Sequence, residues 1–318
     1  MTRKFTALTV SLAAAAAFAA AARPAACADA DAGTSAAQFL KIGAGARAAA
    51  MAEAQAAVAD DVYAAYYNPA GLAAVKRPMM GAMHAQYVQE ARYQYGAVAL
   101  PLDEGAGGVL GLSISNLGVS DLERRTQDTD LPVGLFEASN FSYALSYARR
   151  VTDRLSLGVT GKLVSVSIDE VSGRAAAADL GLRYRPELGL SFPVDLGLAA
   201  RNFGTGLKLG SETDPLPSAV AGGIAARPYP GLLAALDLIR YRDTHTIIAV
   251  GGEYTRGLSA RLQGTARAGY SNHRKDIEGV SGVTLGAGLS LPTLAFDFAW
   301  VPFGDLGNTF RYSVRVQF

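Results

Sequence analysis

Three histidines, a single cysteine and scattered carboxylates and hydroxyls are the residues with which this chain could do chemistry. His84, His245 and His273 stand far apart, each in its own strand or loop. None has the spacing of a metal site or a carboxylate at a regular offset, so they read as solvated loop or interior histidines. Asp128 and Asp130 resemble a fragment of a calcium loop, without the glycine turn and bidentate glutamate that complete one. Gly105 to Gly111 is glycine-rich, but no helix follows it, as a phosphate cradle requires. No nucleophile signature is present, and sequence order alone does not build a Ser-His-Asp site. No catalytic residue, metal ligand or cofactor is assigned, and the chain does not read as an enzyme. The charge balance, 29 basic against 28 acidic residues, lacks the basic excess of a nucleic-acid binder.

A second set of charges is more informative, and the elements that hold them explain why. From Met79 onward the hydrophobic period is two. Phe310, Tyr312, Val314, Val316 and Phe318 face one way, and Arg311, Ser313, Arg315 and Gln317 the other. Leu294, Phe296, Phe298 and Trp300 alternate with Ala295, Asp297 and Ala299 in the same manner. Segments of about ten residues with this alternation are the mark of a transmembrane barrel, apolar to lipid and polar to the lumen. The pattern predicts an all-β antiparallel barrel of about 14 strands over residues 79–318. The predicted strands are 79–88, 92–101, 108–118, 141–150, 155–167, 176–185, 194–203, 217–227, 232–240, 245–255, 258–270, 280–291, 294–302 and 309–318. With both termini periplasmic, the connections alternate short and long. Pro292-Thr293 and Arg256-Gly257 are short, whereas Gly204 to Leu216 and Val119 to Asn140 are long.

Two segments depart from this regularity. Leu155, Leu157 and Val159 lie in one phase and Val164, Val166 and Ile168 in the other, which predicts a bulge near Gly161 to Leu163. Leu232 to Arg240 is apolar on both phases apart from Asp237, so that part of the lumen reads as greasy. Tyr143, Tyr147, Tyr184, Tyr254, Tyr270, Trp300 and Phe303 lie near strand ends, either as interfacial girdles or through ordinary β propensity.

On this alternation Lys162, Arg183, Arg201, Asp237, Glu253, Arg261, Arg267, Asp297, Arg311 and Arg315 point into the lumen, with Asp179 and Asp195. They make either a paired ladder that fills a narrow lumen or a conduit with an anion preference. Pairing is the favoured reading.

The N-terminus is different. Arg3 and Lys4, the apolar run Leu8 to Ala22 and the Ala26-Cys27-Ala28 pattern predict a signal peptide over 1–28. Lipidation at Cys27 is the lesser alternative, since Pro24 stands where lipoprotein signals carry leucine. Residues 29–78 are alanine-rich and helix-permissive, with a short helix read over Arg47 to Ala59. They are too few for a core of their own, and read as a plug or latch.

This plug carries a resemblance. Phe39-Leu40-Lys41-Ile42-Gly43-Ala44-Gly45-Ala46-Arg47, then Val58-Ala59-Asp60-Asp61, then Tyr66-Tyr67-Asn68-Pro69-Ala70-Gly71-Leu72 resembles the N-terminal signature of the PorV/PorQ family of FadL-like outer-membrane proteins. The chain has Ala50-Met51-Ala52 where the family often has Gly-Met-Gly, and it is short beside FadL itself. The resemblance implies a 14-stranded barrel with a lumenal hatch in which Asn68, Pro69 and Ala70 match the hatch tripeptide. It implies the bacterial outer membrane, with outer-membrane lipid and the barrel-assembly machinery as partners, the latter through the terminal Phe318. Three functions follow: export or surface attachment of secreted client proteins, uptake of a lipophilic small molecule, or a structural barrel without transport.

Overall fold

The computed structural model describes residues 33–87, 90–102, 107–125, 132–274 and 278–318. The signal peptide, Cys27, Asp128 and Asp130, and part of the Gly105 to Gly111 run lie outside the described residues.

The strands in chain order are β1 (Met79–Gln86), β2 (Arg92–Pro101), β3 (Val109–Arg124), β4 (Gly134–Arg150), β5 (Leu155–Ile168), β6 (Val171–Tyr184), β7 (Val194–Gly204), β8 (Leu207–Leu209) and β9 (Glu212–Asp214). They continue with β10 (Ala219–Tyr229), β11 (Leu232–Tyr241), β12 (Ile247–Gly257), β13 (Gln263–Ser271), β14 (Val283–Ser290), β15 (Leu294–Pro302) and β16 (Asn308–Gln317). Fourteen of them form one closed antiparallel barrel, each hydrogen-bonded to its neighbours in sequence, while β8 and β9 make a separate hairpin between β7 and β10. β1 closes the barrel against β16, from Met79 opposite Gln317 to Gln86 opposite Phe310. Closure leaves no edge along the wall, which is the condition for crossing hydrocarbon with strands.

The alternation sets what faces where. Phe310, Tyr312 and Val314 are exposed on the outer wall, while Thr309, Arg311 and Ser313 are buried inside. Strand lengths depart most from the sequence reading at β3 and β4. Residues 119–124 and 134–140 are strand, so β3 and β4 rise well past their neighbours on the rim away from the termini. That rim is called distal here, and the rim at which the chain ends is called terminal.

Several expectations are corrected. The β5 pairings with β4 and β6 run unbroken, so there is no bulge near Gly161 to Leu163. Val164 and Val166 share the inward phase of Thr160 and Lys162, because this part of the inner wall packs on the plug rather than on water. β13 begins at Gln263, and Arg261 is an exposed residue of the turn before it rather than a lumen charge. Arg47 to Ala59 is not one helix. Ala46–Ala50 is helical, and turns follow it. His84 faces outward on β1, and Phe303 is buried against the plug instead of joining a girdle.

The plug fills the lumen. It consists of a 3-10 turn (Gln38–Lys41), α1 (Ala46–Ala50), α2 (Ala64–Tyr67) and a second 3-10 turn (Pro69–Ala74). Helices this short have no independent stability, and their order comes from packing. Phe39, Leu40, Tyr66, Tyr67 and Leu72 pack with Val164 and Val166 of the wall and with Leu207 and Leu216 of the β7–β10 connection. That connection folds over the distal side of the plug, and Ala36 N–H donates to Pro215 C=O at 2.9 Å.

Candidate functional site

The plug is held in two ways, beginning with the wall glycines. At several inward wall glycines the plug backbone lies directly on the strand. A Cβ at Gly197 would coincide with the Ala56 carbonyl, one at Gly251 would lie 2.7 Å from the Met51 carbonyl oxygen, and one at Gly269 would lie 2.5 Å from Ala52 N. Gly158 and Gly181 do the same for Pro69, Ala70 and Asn68. The close approach explains why these positions lack a side chain, at the entropic cost glycine carries in a strand.

Asn68, Pro69, Ala70 and Gly71 are the centre of this contact. Asn68 is 1 % exposed. Its amide donates to Ala56 C=O at 2.7 Å and to Leu182 C=O of β6 at 3.0 Å, and its Oδ1 accepts from Ala70 N–H at 3.2 Å. Asn68 is thus the N-cap of the second 3-10 turn, and Pro69 occupies its first position, where no N–H is needed. Gly71 lies against the Ala59 carbonyl, with no room for a Cβ. Asp237 of β11 holds the same stretch, accepting from Gln55 N–H and Ala56 N–H, both at 2.7 Å.

The second mode is ionic and lies at the terminal rim. Arg47 forks onto Glu253 of β12 at 2.8 and 3.1 Å and reaches Asp60 at 2.7 Å. Glu253 also takes Arg267 at 2.6 Å, and Arg267 takes Asp297 at 2.7 Å. Asp61 pairs with Arg315 of β16. Arg183, Arg185 and Arg227 converge on Asp195 at 3.3, 2.8 and 2.6 Å. Burial alone would raise the Asp60 carboxyl, but Arg47 outweighs it and holds the group at about 2. These charges line a vestibule of about 430 Å³ at the terminal rim. Lys162 likewise pairs with Asp179 at 2.6 Å, and Arg311 with Glu53 at 3.3 Å. Most of the predicted lumen charges are thus paired, while Arg201 and Asp237 take part in no ion pair among the described residues and Arg261 lies outside the lumen. Sequence reasoning missed the glycine contacts, although Gly158, Gly181, Gly197, Gly251 and Gly269 all fall on the inward phase of their strands.

A smaller distal cavity of about 250 Å³ lies between the plug and β11 to β16, and shares no lining residue with the terminal vestibule. No group of three or more potential metal ligands occurs among the described residues.

A closed fourteen-stranded barrel with an inward-folded N-terminal plug defines a class of outer-membrane β-barrels. Among solved structures, the CymD monoaromatic hydrocarbon channel superposes with a TM-score of 0.62 at 14 % identity, over 87 % of this chain and 98 % of that one. The toluene transporter TodX of P. putida gives 0.59 at 12 % identity, over 87 % and 99 %. A Pseudomonas aeruginosa FadL homologue gives 0.53 at 14 %, over 86 % and 98 %. At such identities the likeness establishes the fold. Residues 25–182, just under half of the chain, match the family described as type IX secretion system protein PorV, so the chain resembles PorV over that part and the FadL-like channels in fold. No curated protein matches it.

Proposed function

We propose that this barrel sits in the bacterial outer membrane and assists the export or surface attachment of secreted proteins, working through its distal rim rather than through its lumen. One observation carries the reading. The plug backbone lies on wall glycines around the lumen, and the distal and terminal cavities have no lining residue in common. A conduit for small molecules would need the plug to leave a seat shaped to its backbone. A docking platform needs no such motion. β3 and β4 rise past the rim on the side away from the termini, where a client would be met. The family match over residues 25–182 supports the same choice.

The hydrocarbon channels among the structural neighbours favour the alternative, uptake of a lipophilic small molecule. One experiment separates the two. A cysteine pair at Ala46 and Ser313, whose hydroxyl lies 3.1 Å from Ala46 N, would pin the plug to β16, and shortening the β3–β4 hairpin would remove the projecting rim. The docking role predicts that pinning leaves client display on the cell surface intact, while shortening leaves clients in the periplasm. If pinning abolishes uptake of a hydrophobic tracer and shortening has no effect on clients, the uptake role replaces it.

A further inference from the structure

The outer wall carries a polar strip at a depth where lipid chains meet apolar groups elsewhere on the barrel. Cross-strand pairing fixes that depth. One hydrogen-bonded row leaves the terminal rim at Leu232, the first residue of β11, and passes Tyr254 of β12. By way of β13 and β14 it reaches Phe298 and Tyr312. It continues through His84, Gln94, Asn116 and Phe141, and ends by way of β5 at Arg174, near the distal end of β6. Barrel strands tilt, so such a row climbs steadily from one rim to the other. His84 stands midway along it, with Gln94 and Asn116 one and two strands further on. All three lie on the outward phase of β1, β2 and β3. Elsewhere this face carries residues such as Leu236, Val250, Leu285, Phe296 and Val314.

The strip is unpartnered within the barrel. The His84 and Gln94 side chains make no hydrogen bond among the described residues, and Asn116 Oδ1 is buried without a donor. Lipid chains offer neither donors nor acceptors, so polar groups at this depth are costly unless another protein surface meets them. The shape of the wall points the same way. The strip borders a groove of about 530 Å³ that includes Ala82 and Gly96. These two are cross-strand partners, set between Val314 on one side and Ile114 on the other. A Cβ at Gly96 would touch only Ile114, at 3.6 Å, so the pair forms an open notch beside the exposed ridge of Leu112 and Ile114.

We infer that two copies of this chain pair in the membrane through the outward faces of β1 to β3, about a two-fold axis along the membrane normal. The inference goes beyond the docking role and rests on the outer wall facing lipid. Depth selects the occupant. A partner must present donors and acceptors at the level of the strip, and a second copy inserted the same way presents them there by construction. Side-chain amides both donate and accept, and so does a neutral imidazole, so the strip is complementary to itself. No Asp, Glu, Lys or Arg lines the groove, so like charges do not oppose the pairing. The ridge of each copy enters the notch of the other, which is the isologous contact a two-fold axis requires.

Energy transfer between donor- and acceptor-labelled copies of the folded barrel, in phospholipid vesicles diluted with excess lipid, tests this. Wild-type transfer falls with dilution along a monomer–dimer curve. The triple variant His84→Leu, Gln94→Leu and Asn116→Leu associates roughly tenfold more weakly or worse. Leucine suits a lipid-facing wall, so this variant keeps its fold, which heat modifiability verifies. Gly96→Leu fills the notch and weakens association in the same direction, while Leu236→Ala, on the strand opposite β2 in the barrel, leaves it unchanged. Wild-type transfer no greater than random crowding at every dilution, or a triple variant that associates as tightly as wild type, overturns the inference. Monomeric wild type, with a different outer-membrane protein crosslinking to a photoreactive group at position 94, overturns the second copy as occupant and gives the strip to that protein.

Discussion

Plug residues 51–57 rest mainly on wall backbone, with Asp237 as one added carboxylate, whereas Arg47, Asp60 and Asp61 rest on wall charges. The first seat works by the absence of side chains at Gly197, Gly251 and Gly269. Its complementarity at the glycines is steric and admits one position of the plug, and Asp237 adds a carboxylate that accepts from Gln55 and Ala56 N–H. The second seat is a network of charges beside a solvent-filled vestibule. Its strength varies with protonation and ionic strength, and its long side chains can re-pair. The contrast assigns fixed position to the glycine seat and adjustability to the ionic one. Whatever motion the plug retains is expected at residues 47 and 60–61 rather than at 51–57.

The largest expected effect breaks the steric seat. Gly197→Val places a side chain on the Ala56 carbonyl and should destabilise the plugged barrel by about 3 kcal/mol. Gly161→Val is the control, because that glycine has open space around it. Heat-modifiability midpoints on gels, with protease cleavage within the plug, read the difference. Equal midpoints for the two variants would show that the plug does not depend on the glycine contacts. Next in size is Asn68→Ala, which strands the Ala56 and Leu182 carbonyls and costs about 2 kcal/mol. Asn68→Asp should fall short of rescue, since a carboxylate cannot donate to those carbonyls.

Much of the wall was legible because the alternation is enforced from both sides, by lipid outside and by charge within. The last strand, Phe310 to Phe318, shows it without ambiguity. The misreadings share a cause. Val164 and Val166 imitate a phase switch because the plug supplies an apolar partner inside the lumen, so an inward position need not be polar. Arg261 imitates a lumen charge because alternation runs on through a turn that the strand ladder does not reach. The hatch tripeptide was legible by resemblance, but its partners were not. What meets Asn68 is the Leu182 carbonyl, a backbone group that no residue type announces. The unpaired state of Arg201 was likewise hidden, since nothing in its strand distinguishes it from Arg267.

The ionic seat is sharpened by acid. Asp60 lies at about 2 in the folded protein against an ordinary 3.8. Its contribution is therefore fully present above about pH 4 and is lost as pH falls towards 2. Protease sensitivity of the plug should rise across that window, and Asp60→Asn should flatten the response. A response to acid that persists unchanged in Asp60→Asn would move the titrating group elsewhere in the vestibule.

The smallest effect tests the strained turn that joins the two seats. Ala52 has φ 52° and is buried, with its N–H donating to Thr284 Oγ1 at 3.1 Å. An L-residue in the left-handed region costs about 1–2 kcal/mol, which glycine avoids at the expense of greater freedom in the unfolded chain. Ala52→Gly should therefore stabilise the barrel by about 0.5 kcal/mol, raising the heat-modifiability midpoint slightly. This gives physical content to the departure from the Gly-Met-Gly pattern, because the backbone still takes the path a glycine would ease. A lower midpoint would mean that the Ala52 methyl contributes more in packing than the turn loses in strain. In that case the Ala50-Met51-Ala52 segment is adapted to this wall rather than merely tolerated by it.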